Sequence, residues 1–140
     1  MLFADTGALF AFLVRGDTHH ADAVRAEAYL RSTRDRIWTI DAVLTELWLL
    51  LRREVNARIS DNVVRGLLDA GVRREAVEDR DYVRAWLLAT EWSDQDFSLT
   101  DRLAFAVLER TRRYRAWSYD TGFAIIRLGP ARNQPLELIR

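Results

Sequence analysis

The 140-residue chain contains no cysteine, and all 21 of its basic residues are arginine. Without cysteine there is neither a disulfide frame nor a thiolate zinc site. Without lysine the chain cannot be a Walker-type nucleotidase, whose phosphate loop needs that amine. Schiff-base chemistry is excluded for the same reason. Two prolines and 49% apolar residues do not describe a disordered polymer. No apolar run is long enough to span a bilayer, so no membrane association is expected. The opening "MLFADTGALF" has no basic leader and carries Asp5 where a signal peptide would be apolar; the expected location is cytoplasmic. Charge of one sign is also missing: 21 acidic residues balance the 21 arginines, leaving no net field to draw in nucleic acid. The exclusive use of arginine reflects either GC-rich coding or the value of a guanidinium fork for binding oxyanions.

What is present suggests one domain over residues 1–140, long enough to bury a core. "MLFAD" reads as a short buried strand, "TGALFAFLV" as a helix, and "HADAVRAEAYLRS" as a second, amphipathic helix. "RIWTI" has the β-branched and aromatic content of a strand. "DAVLTELWLLLRRE" predicts a long helix, with apolar residues at 3–4 spacing. "ISDNVVRGLLDAG" predicts a helix stopped by Gly71, "VRREAVE" an edge strand, and "DRDYVRAWLLAT" a further helix. In "SLTDRLAFAVLERTRR", Ser98 and Asp101 have capping-box spacing ahead of an apolar-periodic run. "RAWSY" reads as a strand, "TGFAIIRLG" as a short helix closed by Gly129-Pro130, and "LELI" as a last strand. The alternation predicts an α/β three-layer sandwich, a mainly parallel sheet with helices on both faces.

Ligands of parallel α/β sheets sit beyond the C-terminal strand ends. Asp5 follows the first strand, Asp120 follows "RAWSY", and Asp101 opens a helix. Glu46 stands alone in the apolar run "AVLTELWLLL", where an ionised carboxylate needs compensation. It lies about 9 Å along the helix that follows "RIWTI", close enough to turn toward the same strand ends. Carboxylates gathered there would raise one another's pKa. A divalent ion resolves the conflict, and an all-oxygen set suits Mg²⁺ or Mn²⁺. The chemistry expected of such a site is metal-assisted phosphodiester hydrolysis.

Taken together, "FADTGAL" at 3–9, Glu46 within a helix, "DQDFSLTDRLAFAVLER" at 94–110 and "RAWSYDTGF" at 115–123 resemble the PIN-domain nucleases, most closely the VapC-type toxins of toxin–antitoxin pairs. The resemblance implies a PIN-like fold and a catalytic, metal-binding quartet of Asp5, Glu46, Asp101 and Asp120. Asp5 and Asp101 would be the firmest ligands; Glu46 would bind metal or orient water, and Thr6, Asp96 and Ser98 would support them. It further implies Mg²⁺ or Mn²⁺ as cofactor, endoribonuclease activity on an RNA substrate, a homodimer, and a cognate antitoxin that lays a peptide near the site.

Other readings of the same residues stay open at this level. Asp5, Asp101 and Asp120 are each placed to cap a helix, and capping is compatible with metal binding. Arg110, Arg112, Arg113 and Arg115 form either a solvated helix end or a rim that holds RNA phosphates. Trp48 and Trp86 fall at core or interface positions rather than base-stacking ones, and His19-His20 reads as a solvated loop. A regulatory module on the same scaffold, or a processing nuclease without a toxin role, remains the alternative.

Overall fold

The computed structural model describes residues 1–140. Five strands, β1 (Leu2–Ala4), β2 (Ile37–Ile40), β3 (Arg73–Glu75), β4 (Arg115–Trp117) and β5 (Glu137–Ile139), form one sheet in the order β3-β2-β1-β4-β5. Each of the four neighbouring pairs is parallel. The seven helices are α1 (Thr6–Leu13), α2 (His20–Ser32), α3 (Asp41–Glu54), α4 (Ala57–Asp69), α5 (Asp79–Glu91), α6 (Leu99–Thr111) and α7 (Thr121–Ile125).

Strand order reverses at β1. The chain steps outward from β1 through β2 to β3, then crosses back to β4 and β5 on the other side. Right-handed crossovers in opposite directions place α1–α4 on one face and α5–α7 on the other. The three central strands, β2, β1 and β4, are buried on both faces in the way this topology requires, while the edge strands β3 and β5 are half-buried or exposed. Phe3 and Trp38 stand side by side in register and face the aromatic rings of α6 and α7. Phe3 stacks at 6.0 Å on Phe123, which meets Phe105 edge-on at 4.8 Å. Trp117, one position out of phase, turns to the opposite layer and meets Phe12 of α1 at 6.2 Å.

The helix boundaries follow local chemistry. Asn56 caps α4 by accepting from the Ile59 amide, so this helix starts before the "ISDN" segment expected from periodicity. Ser98 and Asp101 make the reciprocal capping box of α6. The helix after Asp120 ends at Ile125 instead of continuing to Gly129. The chain there turns into an isolated antiparallel bridge between Leu128 and Gln134, which takes the backbone hydrogen bonds a longer helix would have used. Trp86 is 54% exposed, so it is not a core residue. Trp48 is half-buried and ties α3 to α4 by donating Nε1–H to Asp61 at 2.8 Å.

Candidate active site

The crevice where strand order reverses is lined by five carboxylates, Asp5, Glu46, Asp96, Asp101 and Asp120, and by no arginine or histidine. Its volume is about 370 Å³. Two of these acids are helix N-caps and a third completes a capping box. Asp5 Oδ1 accepts from the Ala8 amide of α1 at 2.6 Å, and Asp120 Oδ1 from the Gly122 amide of α7 at 2.6 Å. Asp101, the third residue of α6, accepts from the Ser98 amide at 3.0 Å and returns its own amide to Ser98 Oγ at 3.0 Å. The capping reading and the site reading are therefore the same geometry. Helix N-termini converge on the cavity, and their partial positive charge offsets part of the crowding.

Glu46 has a different origin. The buried stripe of α3 is Val43, Leu44, Leu47 and Leu51; Glu46 falls at its edge, half-buried. Thr6 of α1 donates its hydroxyl to Glu46 Oε2 at 2.6 Å, which fixes the side chain toward β1. The lone charge in the apolar run thus faces the other carboxylates, with Thr6 as its anchor.

Asp5 carries the largest electrostatic burden. It is 6% exposed. Burial pushes its pKa from 3.8 up to about 7, opposed by hydrogen bonds from Ser118 and the Ala8 amide and reinforced by the charges of Asp120 and Asp101. Asp101 is also raised, again by burial first, with Asp120 and Glu46 adding to it. Ser118 is fully buried and donates its hydroxyl to Asp5 Oδ2. Ser118 Oγ in turn accepts from the Asp120 amide at 3.1 Å, so one serine joins the two strand-end acids. Sequence reasoning missed Ser118. Its only signal was its position two residues before Asp120.

Gly122 packs against the site. A methyl group built there would stand 2.9 Å from Asp120 Oδ1 and 2.9 Å from the Phe97 ring. Asp96 and Ser98 line the cavity, as does Thr6. The structure therefore gathers all seven of the expected acids and supporting residues along one wall or another of a single crevice.

The arginine cluster lies elsewhere. Arg110 is about 13.5 Å along α6 from Asp101 by helix rise. It donates to the buried Asp81 at 2.9 Å and to the Ala76 carbonyl at 2.9 Å. Arg113 reaches Glu75 at 3.4 Å and covers the Trp38 ring at 5.3 Å. Arg115 pairs with Asp35 at 2.6 Å and Glu137 at 3.3 Å. Arg112 is the left-handed C-cap of α6, exposed and without an acidic partner. Three of the four are committed to carboxylates and none lines the acidic cavity. His19 is exposed in a turn, as the sequence suggested, and its ring also stacks on Tyr119 with centroids 4.5 Å apart and planes 4° apart, while His20 Nδ1 is 2.7 Å from the Ala11 carbonyl.

The donor set fits a hard divalent ion, since every candidate ligand atom is oxygen. Asp101 Oδ1, Asp120 Oδ2 and Glu46 Oε1 have no protein donor, because each acid spends its other oxygen on its cap or on Thr6. The carboxylates line the cavity without three of them closing on a single point, so the ligand set is less contracted than a cluster within a few ångströms. The cap and Thr6 hydrogen bonds hold each carboxylate at its own place on the wall.

The family model of the PIN domain matches residues 2–127. Among solved structures, VapC20 from Mycobacterium tuberculosis, a sarcin-ricin loop cleaving toxin, superposes with a TM-score of 0.75 at 26% identity, covering 86% of this chain and 90% of that one. VapBC2 from Rickettsia felis, bound to a DNA fragment from its promoter, gives 0.70 at 14% identity with 100% of both chains covered. A toxin–antitoxin complex from Klebsiella pneumoniae gives 0.60 at 13% identity, covering 86% and 88%; these two are likenesses of fold. No curated protein matches the sequence. With the family model spanning nearly the whole chain and the acids at the strand ends, the chain belongs to the PIN domain family.

Proposed function

We propose that the chain is a Mg²⁺- or Mn²⁺-dependent endoribonuclease and the toxin of a toxin–antitoxin pair. One observation carries this reading: five acids and no base line the crevice at the strand-order switch. So concentrated a negative charge is costly to keep and repels an RNA backbone unless a cation is held there. Asp5, Glu46, Asp101 and Asp120 would hold the ion, and Asp96 and Ser98 would support the rim. When bound, the ion supplies Lewis-acid polarisation of a phosphodiester and a lowered pKa for an attacking water.

The chain's own groups set the conditions. Ser118 and the Ala8 amide fix the Asp5 carboxylate, and Thr6 fixes Glu46. Glu46 keeps one oxygen free to accept a proton from water. The similarity to VapC20, and to structures that include toxin–antitoxin complexes, supports an RNA substrate and an antitoxin partner. The cytoplasm is where both would be met, and no helix is long and apolar enough to cross a membrane. A homodimer is supported by the exposed apolar band of Leu49 on α3 with Tyr82, Val83, Trp86 and Leu87 on α5, an arrangement that single surface residues do not produce.

The test is incubation of total RNA with the protein in Mn²⁺, in Mg²⁺ and in EDTA. Cleavage in either metal, lost in EDTA and in Asp5→Asn and Asp101→Asn, is the expected result. Equal cleavage by those variants would remove the metal mechanism.

A further inference from the structure

The stacked pair His19–Tyr119 is not used by the chemistry described so far. Tyr119 stands between Ser118, which donates to Asp5, and Asp120. Neither ring lines the acidic crevice, but the Asp5 carboxylate is near enough to act on the Tyr119 phenol, so the pair stands just outside it. Tyr119 faces the α1–α2 layer, where its hydroxyl accepts from Trp117 Nε1 at 3.2 Å. That bond and partial burial hold the phenol ring in place.

His19 is held as well. Its amide donates to Asp17 Oδ1 at 2.8 Å, and its carbonyl accepts from the Ala23 amide at 2.9 Å. One face of its imidazole lies flat on Tyr119, with only 4° between the planes. The residue is nevertheless exposed, and Tyr119 is the one aromatic ring stacked on its imidazole. The result is a flat π surface at the outside of the protein. Tyr119 packs against the edge of the hydrophobic core, whereas His19 contributes nothing to it.

We propose that the exposed ring of His19, backed by Tyr119, is the stacking platform for one nucleobase of the RNA whose backbone enters the acidic crevice. The proposal deepens the ribonuclease reading and depends on RNA being the ligand. Bases stack on aromatic faces with little sequence preference. A platform pinned in advance pays little ordering entropy on binding. The crevice itself offers a base little to hold: its acidic walls bind through a cation at the phosphate. The platform therefore supplies the contact that registers a nucleotide beside the scissile bond. His19 acts here as a binding residue and Tyr119 as the residue that positions it.

The test measures anisotropy of a labelled single-stranded oligoribonucleotide of mixed sequence in Ca²⁺, a divalent ion that offsets the charge of the crevice, with each oligomer checked to be intact after the measurement. Wild type, His19→Ala and His19→Phe are compared, each with the intact oligomer and with a set carrying one abasic residue at successive positions. His19→Ala should weaken binding of the intact oligomer about tenfold, and His19→Phe should retain it. At one position the abasic residue should weaken wild type to the same degree and leave His19→Ala unchanged, a coupling that loss of fold does not produce. Equal binding by wild type and His19→Ala overturns the platform, as does independence of the two changes at every position, or no RNA binding by wild type. Cleavage of the same oligomer in Mn²⁺ is scored separately. Coupling without cleavage keeps the platform and removes the nuclease reading; cleavage without coupling does the reverse.

Discussion

The protonation of Asp5 should govern the stability of the metal-free protein. Its carboxyl titrates at about 7 in the fold and at 3.8 as a free side chain. Between those values the folded protein holds a proton that the unfolded chain has released. The associated stability is therefore fully present below about pH 4 and is lost as pH climbs through 7. At about 1.4 kcal/mol for each pH unit of separation, complete ionisation costs about 4 kcal/mol, and the interval from pH 8 down to pH 5 returns about 3 kcal/mol of it. Asp101, also raised, contributes in the same direction. For a domain of this length about 3 kcal/mol corresponds to a rise in Tm of roughly 10 °C. Asp5→Asn keeps an oxygen for the Ala8 amide and offers an amide hydrogen to Ser118 Oγ, while removing the charge. In EDTA the wild type should melt higher at pH 5 than at pH 8, and Asp5→Asn should melt higher than wild type at pH 8 with most of the pH dependence gone. A wild type that is more stable at pH 8 than at pH 5, or an Asp5→Asn variant that is less stable at pH 8, would refute the electrostatic account of the crevice.

Two other perturbations separate structural from functional residues. Arg110→Ala leaves Asp81, 1% exposed, without its cation; breaking a buried pair of this kind costs about 3–5 kcal/mol. Urea unfolding should show that loss, while cleavage per folded molecule stays near the wild-type level; Arg112→Ala, lacking a partner, should change neither. Gly122→Ala drives a methyl group to 2.9 Å from both Asp120 and Phe97. It should destabilise by about 1–3 kcal/mol and lower RNA cleavage by displacing Asp120, whereas Gly66→Ala, which meets nothing within 4 Å, should preserve activity.

Much of this arrangement was legible because the signals were local. The greasy run around Glu46 announced its own anomaly, and α3 begins and ends where its periodicity placed it, at Asp41–Glu54. The Ser98–Asp101 spacing marked both the start of α6 and a residue lining the crevice, since the capping box turns that carboxylate toward it. The contacts that were not legible join distant segments. Ser118 to Asp5 spans 113 residues, and Thr6 to Glu46 spans 40. The arginines illustrate the converse. Arg110, Arg113 and Arg115 look like a basic patch in sequence, but their acids, Asp81, Glu75 and Asp35, arrive from other elements. Their charge is spent on holding α5, β3 and the start of β2 in place. The exposure of His19 was legible, but its stacking partner was not, because Tyr119 comes from the other end of the chain.

The central claim is that acids from α1, α3, α6 and α7 share one cation. Anomalous diffraction from crystals grown with Mn²⁺ reads this directly. The account predicts a manganese peak within coordinating distance of Asp5 and Asp101, about 2.0–2.2 Å for oxygen ligands on a small divalent ion, with Glu46 or Asp120 completing the set directly or through water. Manganese bound elsewhere, with the crevice carboxylates still on their caps and no peak between them, would contradict it.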